Sequence, residues 1–228
     1  MTFVANAEQV ARTSMGAINQ DLVGKYAGVI QFLAGHPNAA SGLRGSSAPS
    51  IGSVDYIFRQ AEAFASSRAP RAPQAPATIP DEMVSVILVS YFGISPSETD
   101  RVKREHSLSM GAENMVGDLL ERYLASVLEP RGWIWCSGSM VKAVDFIKPP
   151  ATQNGAWCLL QVKNRDNSEN SSSSAIRLGT DIEKWHRTFS KRAGSNWDAF
   201  PDVTLRPLLS ENAFRTFVRE YLQALRTE

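Results

Sequence analysis

Asp145, Gln161 and Lys163 form the set of side chains in this sequence best suited to do chemistry, because each stands in or next to an apolar segment. Side chains alternate along a strand, so residues two apart share a face. In WCLLQVK (157–163) this places Gln161 and Lys163 on one face and Cys158, Leu160 and Val162 on the other. Asp145 stands near the end of MVKAVDFIK (140–148), and the loop that follows can bring the two strand ends together. These residue types suit hydrolysis of a phosphodiester. A hard divalent ion such as Mg²⁺ takes oxygen ligands and keeps several waters. Asp145 offers it a charged oxygen and Gln161 a neutral amide oxygen. The Lys163 ammonium can orient an attacking water and offset charge building on a phosphate.

A further carboxylate is expected from the segment SMGAENMVGDLLERYLASVLEPRG (109–132), whose apolar residues recur at helical spacing. At about 100° per residue, Glu113 lies about 60° from the centre of the apolar stripe and Glu121 about 140° away. Glu113 is therefore expected to reach the metal, directly or through water, and Glu121 to face solvent.

Immediately past the lysine comes NRDNSENSSSS (164–174). Asn164, Arg165, Asp166, Asn167, Ser171 and Ser172, with Arg177 beyond them, can hydrogen-bond base edges and phosphates. Arg165 and Asn167 are the expected base readers, since Arg pairs with guanine and Asn with adenine through two bonds each. Composition alone would equally fit a solvated loop. Between Lys163 and Arg192 there are seven Lys/Arg against four Asp/Glu, a locally basic stretch in a chain of net charge +1.

The supporting elements follow from periodicity. Segments 21–35 and 54–66 carry apolar residues at helical spacing, separated by a Gly/Ser/Pro loop. Residues 66–80 contain four prolines and read as an extended, Pro/Ala-rich linker. Residues 80–93 read as a short helix, 133–136, 140–148 and 157–163 as strands, and 180–192 and 211–225 as closing helices. The expected organisation is a helical N-terminal region, 1–96, followed by an α/β unit, 97–228, with a mixed or antiparallel sheet flanked by helices.

With 228 residues and 43% hydrophobic content the chain can bury a full core. It contains no apolar run long enough for a membrane span and opens on no secretory signal, so a cytoplasmic location is expected. Cys136 and Cys158 are expected as small buried thiols in a reducing compartment, and no Cys/His spacing indicates zinc. His36, His106 and His186 have no apparent nucleophilic partner. His186 reads as a solvated helix residue, and Trp197 in AGSNWDAFP as an aromatic anchor.

Asp145, a loop, and Gln161-Val162-Lys163 resemble the PD-(D/E)xK nuclease motif, with Glu113 on the preceding helix. More narrowly, LQVKNRDNSENSSSSAIR together with GTDIEKWHRTFSKRAGSNWDAFPD (159–202) is similar to the SinI/AvaII group of Type II restriction endonucleases. The resemblance implies a PD-(D/E)xK core, Mg²⁺, and cleavage of double-stranded DNA within GG(A/T)CC by a homodimer. It also implies a cognate methyltransferase that protects the same site in the host. The chain departs from the motif twice: Val144 stands where proline is usual, and Gln161 where an acid is usual. Other readings keep the same residues in different roles. A structure-selective repair nuclease would cut without sequence preference and would usually be more basic. A DNA-binding protein on a decayed core would bind without nicking, and a helical interaction protein would bind no DNA.

Overall fold

A computed structural model of the chain describes residues 2–152, 155–166, 176 and 180–227. Three helices come first: α1 (Ala7–Gly16), α2 (Val23–Gly35) and α3 (Val54–Ser66). The α3 boundaries are those its periodicity indicates, and Ser53 caps it, its Oγ accepting the Tyr56 N–H at 3.2 Å. After the irregular 66–80 stretch come α4 (Glu82–Ser90), capped by Asp81, and the 30-residue α5 (Thr99–Leu128). α5 starts ten residues earlier than the stripe beginning at Ser109 indicates. It ends in a 3₁₀ turn containing Pro130, followed by Gly132 at φ 85°. The strands are β1 (Ile134–Trp135), β2 (Phe146–Lys148), β3 (Cys158–Arg165) and β4 (Ile182–Thr188), and α6 (Glu211–Thr227) closes the chain. No helix among the described residues is long and apolar enough to cross a membrane.

The four strands form one mixed sheet in the order β1-β2-β3-β4. The first two pairings are antiparallel and β3–β4 is parallel. Alternation along the strands sends side chains into two cores. On one face Ile134 and Ile147 join α1–α3 through residues such as Met15, Ile30, Leu33 and Phe64. On the other, Trp135, Phe146, Leu160, Val162 and Trp185 meet Leu120, Tyr123 and Leu124 of α5 and Phe214 of α6. The sheet is thus the middle layer between the N-terminal helices and the α5/α6 pair.

Three expectations are corrected. Residues 180–192, expected as a helix, hold β4 instead, in parallel register with β3 through Val162↔Trp185 and Lys163↔His186. Trp185 is its one deeply buried residue, so there is no apolar helical face to bury. Pairing with a strand some twenty residues away satisfies the backbone instead. Residues 140–148 are not one continuous strand. Ser139 and Ala143 adopt positive φ (56° and 57°), and only Phe146–Lys148 enters the sheet. Cys136 is buried, but Cys158 is exposed; both are free thiols. Cys158 opens β3 opposite Lys148, outside the α5 core.

The linker is held down. The Arg122 guanidinium donates to the carbonyls of Ser67, Arg68 and Ala69, each at 2.9 Å, satisfying backbone acceptors at the end of α3. Farther on the linker crosses α5 at Gly111, where a Cβ would stand 2.6 Å from the Gln74 carbonyl oxygen.

Trp185 tests the reassigned strand. Its ring meets Trp197 and Phe200, and its indole N–H donates to the Asn196 carbonyl at 3.0 Å. Trp185→Ala is expected to cost about 3–5 kcal/mol of unfolding free energy by urea denaturation. A residue on a solvated helix would cost a fraction of that. Trp197 is itself buried, as an aromatic anchor should be.

Candidate active site

Asp145 sits where β1, β2 and β3 come together. Its backbone N–H donates to the Leu160 carbonyl at 2.9 Å, and its carbonyl accepts from Cys136 N at 2.8 Å. These bonds aim the carboxylate along β3, where Oδ2 accepts the Val162 N–H at 2.6 Å. Gln161 and Lys163 lie on either side of that amide, with the Gln161 side chain buried. All three residues line one cavity of about 590 Å³, together with Gly117, Asp118 and Glu121 of α5 and Trp135 of β1.

Glu121 does not face solvent as expected. It turns inward, and its Oε2 accepts the Trp135 indole N–H at 2.9 Å. Two features explain this. Gly117, one turn earlier, has no side chain, and a Cβ there would meet nothing within 4 Å, so space opens beside Glu121. Trp135 is buried and its indole N–H needs an acceptor. Glu113, expected at the metal, is exposed. It lines a second cavity of about 570 Å³ with Asn164, Arg165 and Arg187 and is absent from the lining of the first. Glu121, Lys163 and Gly117 border both cavities. A polar residue opposite a buried indole was the only sequence signal for Glu121, and it needs the α5–β1 contact to be read.

The electrostatics set this pair apart. Burial pushes the Glu121 carboxyl up to about 8, the nearby Asp145 charge adds to the rise, and the Trp135 bond and Lys163 oppose it. Burial also raises Asp145, against the Val162 N–H and Lys163. Two enclosed carboxyls are thus crowded beside Lys163, their charged forms disfavoured by burial, and a dication would favour those charged forms. Among the described residues no group of three His, Cys, Asp or Glu side chains is arranged so that it could hold a metal ion. The oxygens the cavity offers from Asp145, Glu121 and the Gln161 amide are of the kind that fits a hard ion that keeps much of its water.

The segment past the lysine divides. Asn164 is engaged within the fold: its Oδ1 accepts from Arg187 Nε at 3.0 Å and Nη2 at 2.9 Å, and Arg187 pairs with Glu211 at 2.6 Å. Asp166 Oδ1 accepts the Ser190 N–H at 2.8 Å, and Arg165 is exposed at the end of β3 on the second cavity. Asn167, Ser171, Ser172 and Arg177 lie outside the described residues. His186 belongs to a strand, not a helix, beside Asn196 and against the Phe189 ring.

Residues 7–224 match the SinI restriction endonuclease family. The chain belongs to that family. It is 53% identical over 222 residues to the Type II restriction enzyme Eco47I of Escherichia coli, covering 97% of this chain and 96% of the relative. It is 50% identical over 225 residues to the Type II restriction enzyme SinI of Salmonella infantis, covering 98% and 97%. This chain is accordingly a Type II restriction enzyme, a DNA-binding hydrolase that acts as a site-specific deoxyribonuclease. The match also takes in α1–α3, so the helical N-terminal third is part of the family's unit.

Proposed function

We propose that this restriction endonuclease is a PD-(D/E)xK enzyme that hydrolyses double-stranded DNA at a short palindrome, GG(A/T)CC, with Mg²⁺. The observation that carries the reading is the convergence of Asp145, Gln161, Lys163 and Glu121 on one cavity. Asp145, Glu121 and the Gln161 amide would hold the ion, with Glu121 in the role expected of Glu113. Bound there, Mg²⁺ supplies Lewis-acid polarisation of the phosphate and a lowered pKa for water.

The chain's own residues do the rest. The Val162 N–H fixes one oxygen of Asp145 and Trp135 fixes one of Glu121, so neither carboxylate has to be ordered when DNA arrives. The Lys163 ammonium orients the attacking water and offsets charge on the phosphate as the new P–O bond forms and the bond to the leaving oxygen breaks. Arg165, with Asn167, Ser171, Ser172 and Arg177, reads or positions the duplex, and Glu113 borders that path. Asn164 and Asp166 act indirectly, holding β3 to its neighbours. A palindromic target calls for a two-fold symmetric homodimer with one site per strand. Such an enzyme works in the cytoplasm beside a methyltransferase that protects the host's own copies of the site.

Digestion of a long DNA of known sequence with Mg²⁺, followed by mapping of the ends, tests this. Ends confined to GG(A/T)CC support it, ends at another fixed sequence overturn the target, and unspecific ends overturn the reading.

Gln161 provides a finer test. Gln161→Glu adds a charged oxygen of nearly the same shape and is expected to lower the Mg²⁺ concentration for half-maximal cleavage. Gln161→Leu is expected to raise it about tenfold or more, read by the same titration. An unchanged Mg²⁺ requirement in both variants would remove Gln161 from the metal site.

A further inference from the structure

The segment around α4 is the least explained surface of the molecule. In EMVSVILVS (82–90) apolar residues occupy nearly every direction around the helix, yet not one of its residues is buried. A helix that is apolar nearly all round belongs inside a protein. α5 covers one side only: the two helices pack together, with Lys103 Nζ donating to Ser85 Oγ at 2.9 Å. The remaining surface shows Met83 at 58% exposure, Val86 at 51%, Ile87 at 54%, Tyr91 at 82%, Phe92 at 64% and, from α5, Leu108 at 65%.

We infer that this α4/α5 face is where two copies of the chain join. The inference rests on the endonuclease reading above, and it supplies the surface that reading lacks. Large apolar side chains exposed to this degree present on the order of 100 Å² each. Together they reach about 600 Å², the upper end of the roughly 300–600 Å² that the largest apolar patch of a typical monomer covers, and approach the roughly 800 Å² that a stable interface buries per partner.

The chemistry selects the occupant. Residues 82–92 contain one Glu and no Lys or Arg, and the neighbouring Arg101 and Lys103 of α5 are paired with Glu98, Glu105 and Asp100, so the apolar side chains themselves offer a phosphate backbone or an anionic membrane no charge to bind. A second copy presents the same apolar face, as a two-fold contact requires. Each chain brings one Asp145/Glu121/Lys163 cluster among its described residues, and a duplex has two strands to cut. α5 also links the two functions, carrying Leu108 in its N-terminal half and Glu121 in its C-terminal half.

Sedimentation of the full chain over a range of concentrations tests this, using the wild type and separate Ile87→Asp and Tyr91→Asp variants. Both positions are exposed, and unchanged circular dichroism would show that the fold survives. The expected result is a wild-type dimer, with dissociation constants raised at least a hundredfold in both variants. On supercoiled plasmid the variants are expected to release nicked circles where the wild type releases linear DNA. A wild type that is monomeric both free and on DNA overturns the inference. A dimer that persists in both variants overturns this surface while leaving a homodimer in place. A wild-type dimer lost in both variants, from a protein that cuts no DNA, supports the surface and overturns the endonuclease reading instead.

Discussion

Lys163→Ala is expected to slow DNA cleavage by on the order of 10²–10³-fold at saturating Mg²⁺, because it removes a charge that acts mainly on the transition state. Lys163 lies on the strand whose neighbouring amide holds Asp145, and among the described residues it is the Lys or Arg whose charge opposes the rise of both Asp145 and Glu121. Its position opposes the rise of both carboxyls and, in the proposed mechanism, serves a second end by offsetting the charge that builds on phosphate. Binding of uncut DNA, measured with Ca²⁺ in place of Mg²⁺, is expected to weaken much less than cleavage. Single-turnover rates beside binding isotherms separate the two. A variant that cuts at near wild-type rate would mean that the catalytic centre lies elsewhere.

Glu121→Gln is expected to abolish cleavage and at the same time stabilise the metal-free protein at pH 8. The sign follows from burial. In the fold this carboxyl is pushed up to about 8 from an ordinary value of 4.5. Its protonated form is the one that folding favours, so its contribution is fully present below about pH 4.5 and is lost as pH rises through about 8. Asp145 is raised as well, so it adds a loss of the same sign. Metal-free stability should accordingly fall between pH 5 and pH 8 by on the order of a few kcal/mol. Glutamine keeps an oxygen for the Trp135 N–H without the charge, which should flatten that fall. Mg²⁺ should reverse the fall in the wild type by binding the charged, folded form. Melting curves in EDTA and in Mg²⁺ at both pH values check each part. A wild type whose metal-free stability rises from pH 5 to pH 8 would show that Glu121 is not enclosed as described.

The two substitutions expose a trade-off common at catalytic centres, where charges that function requires destabilise the fold. The start of the linker contributes through Arg68, which bonds Glu129 at 2.8 Å and the Trp135 carbonyl at 2.7 Å. Arg68 and Arg122 both approach the Trp135 ring, at 5.0 and 5.5 Å from its centroid. The linker and α5 thus help to hold the indole that holds Glu121.

What the sequence determined by itself was local. Alternation in WCLLQVK sends Leu160 and Val162 to the α5 core and leaves Gln161 and Lys163 on the cavity. The stripe in 54–66 marks α3 to the residue, because a helix with one buried face records its period in its own side chains. The tertiary structure alone decided the matters that depend on a distant partner. Residues 182–188 have too few apolar positions to declare a strand, and β3 supplies the parallel partner that makes them one. Which of Glu113 and Glu121 turns inward depends on where a 30-residue helix meets the sheet, on the gap at Gly117 and on the Trp135 indole. Helical angles counted along one segment cannot locate contacts that other segments make, and for that reason the place of Glu121 in the cavity of Asp145 became legible only in the fold.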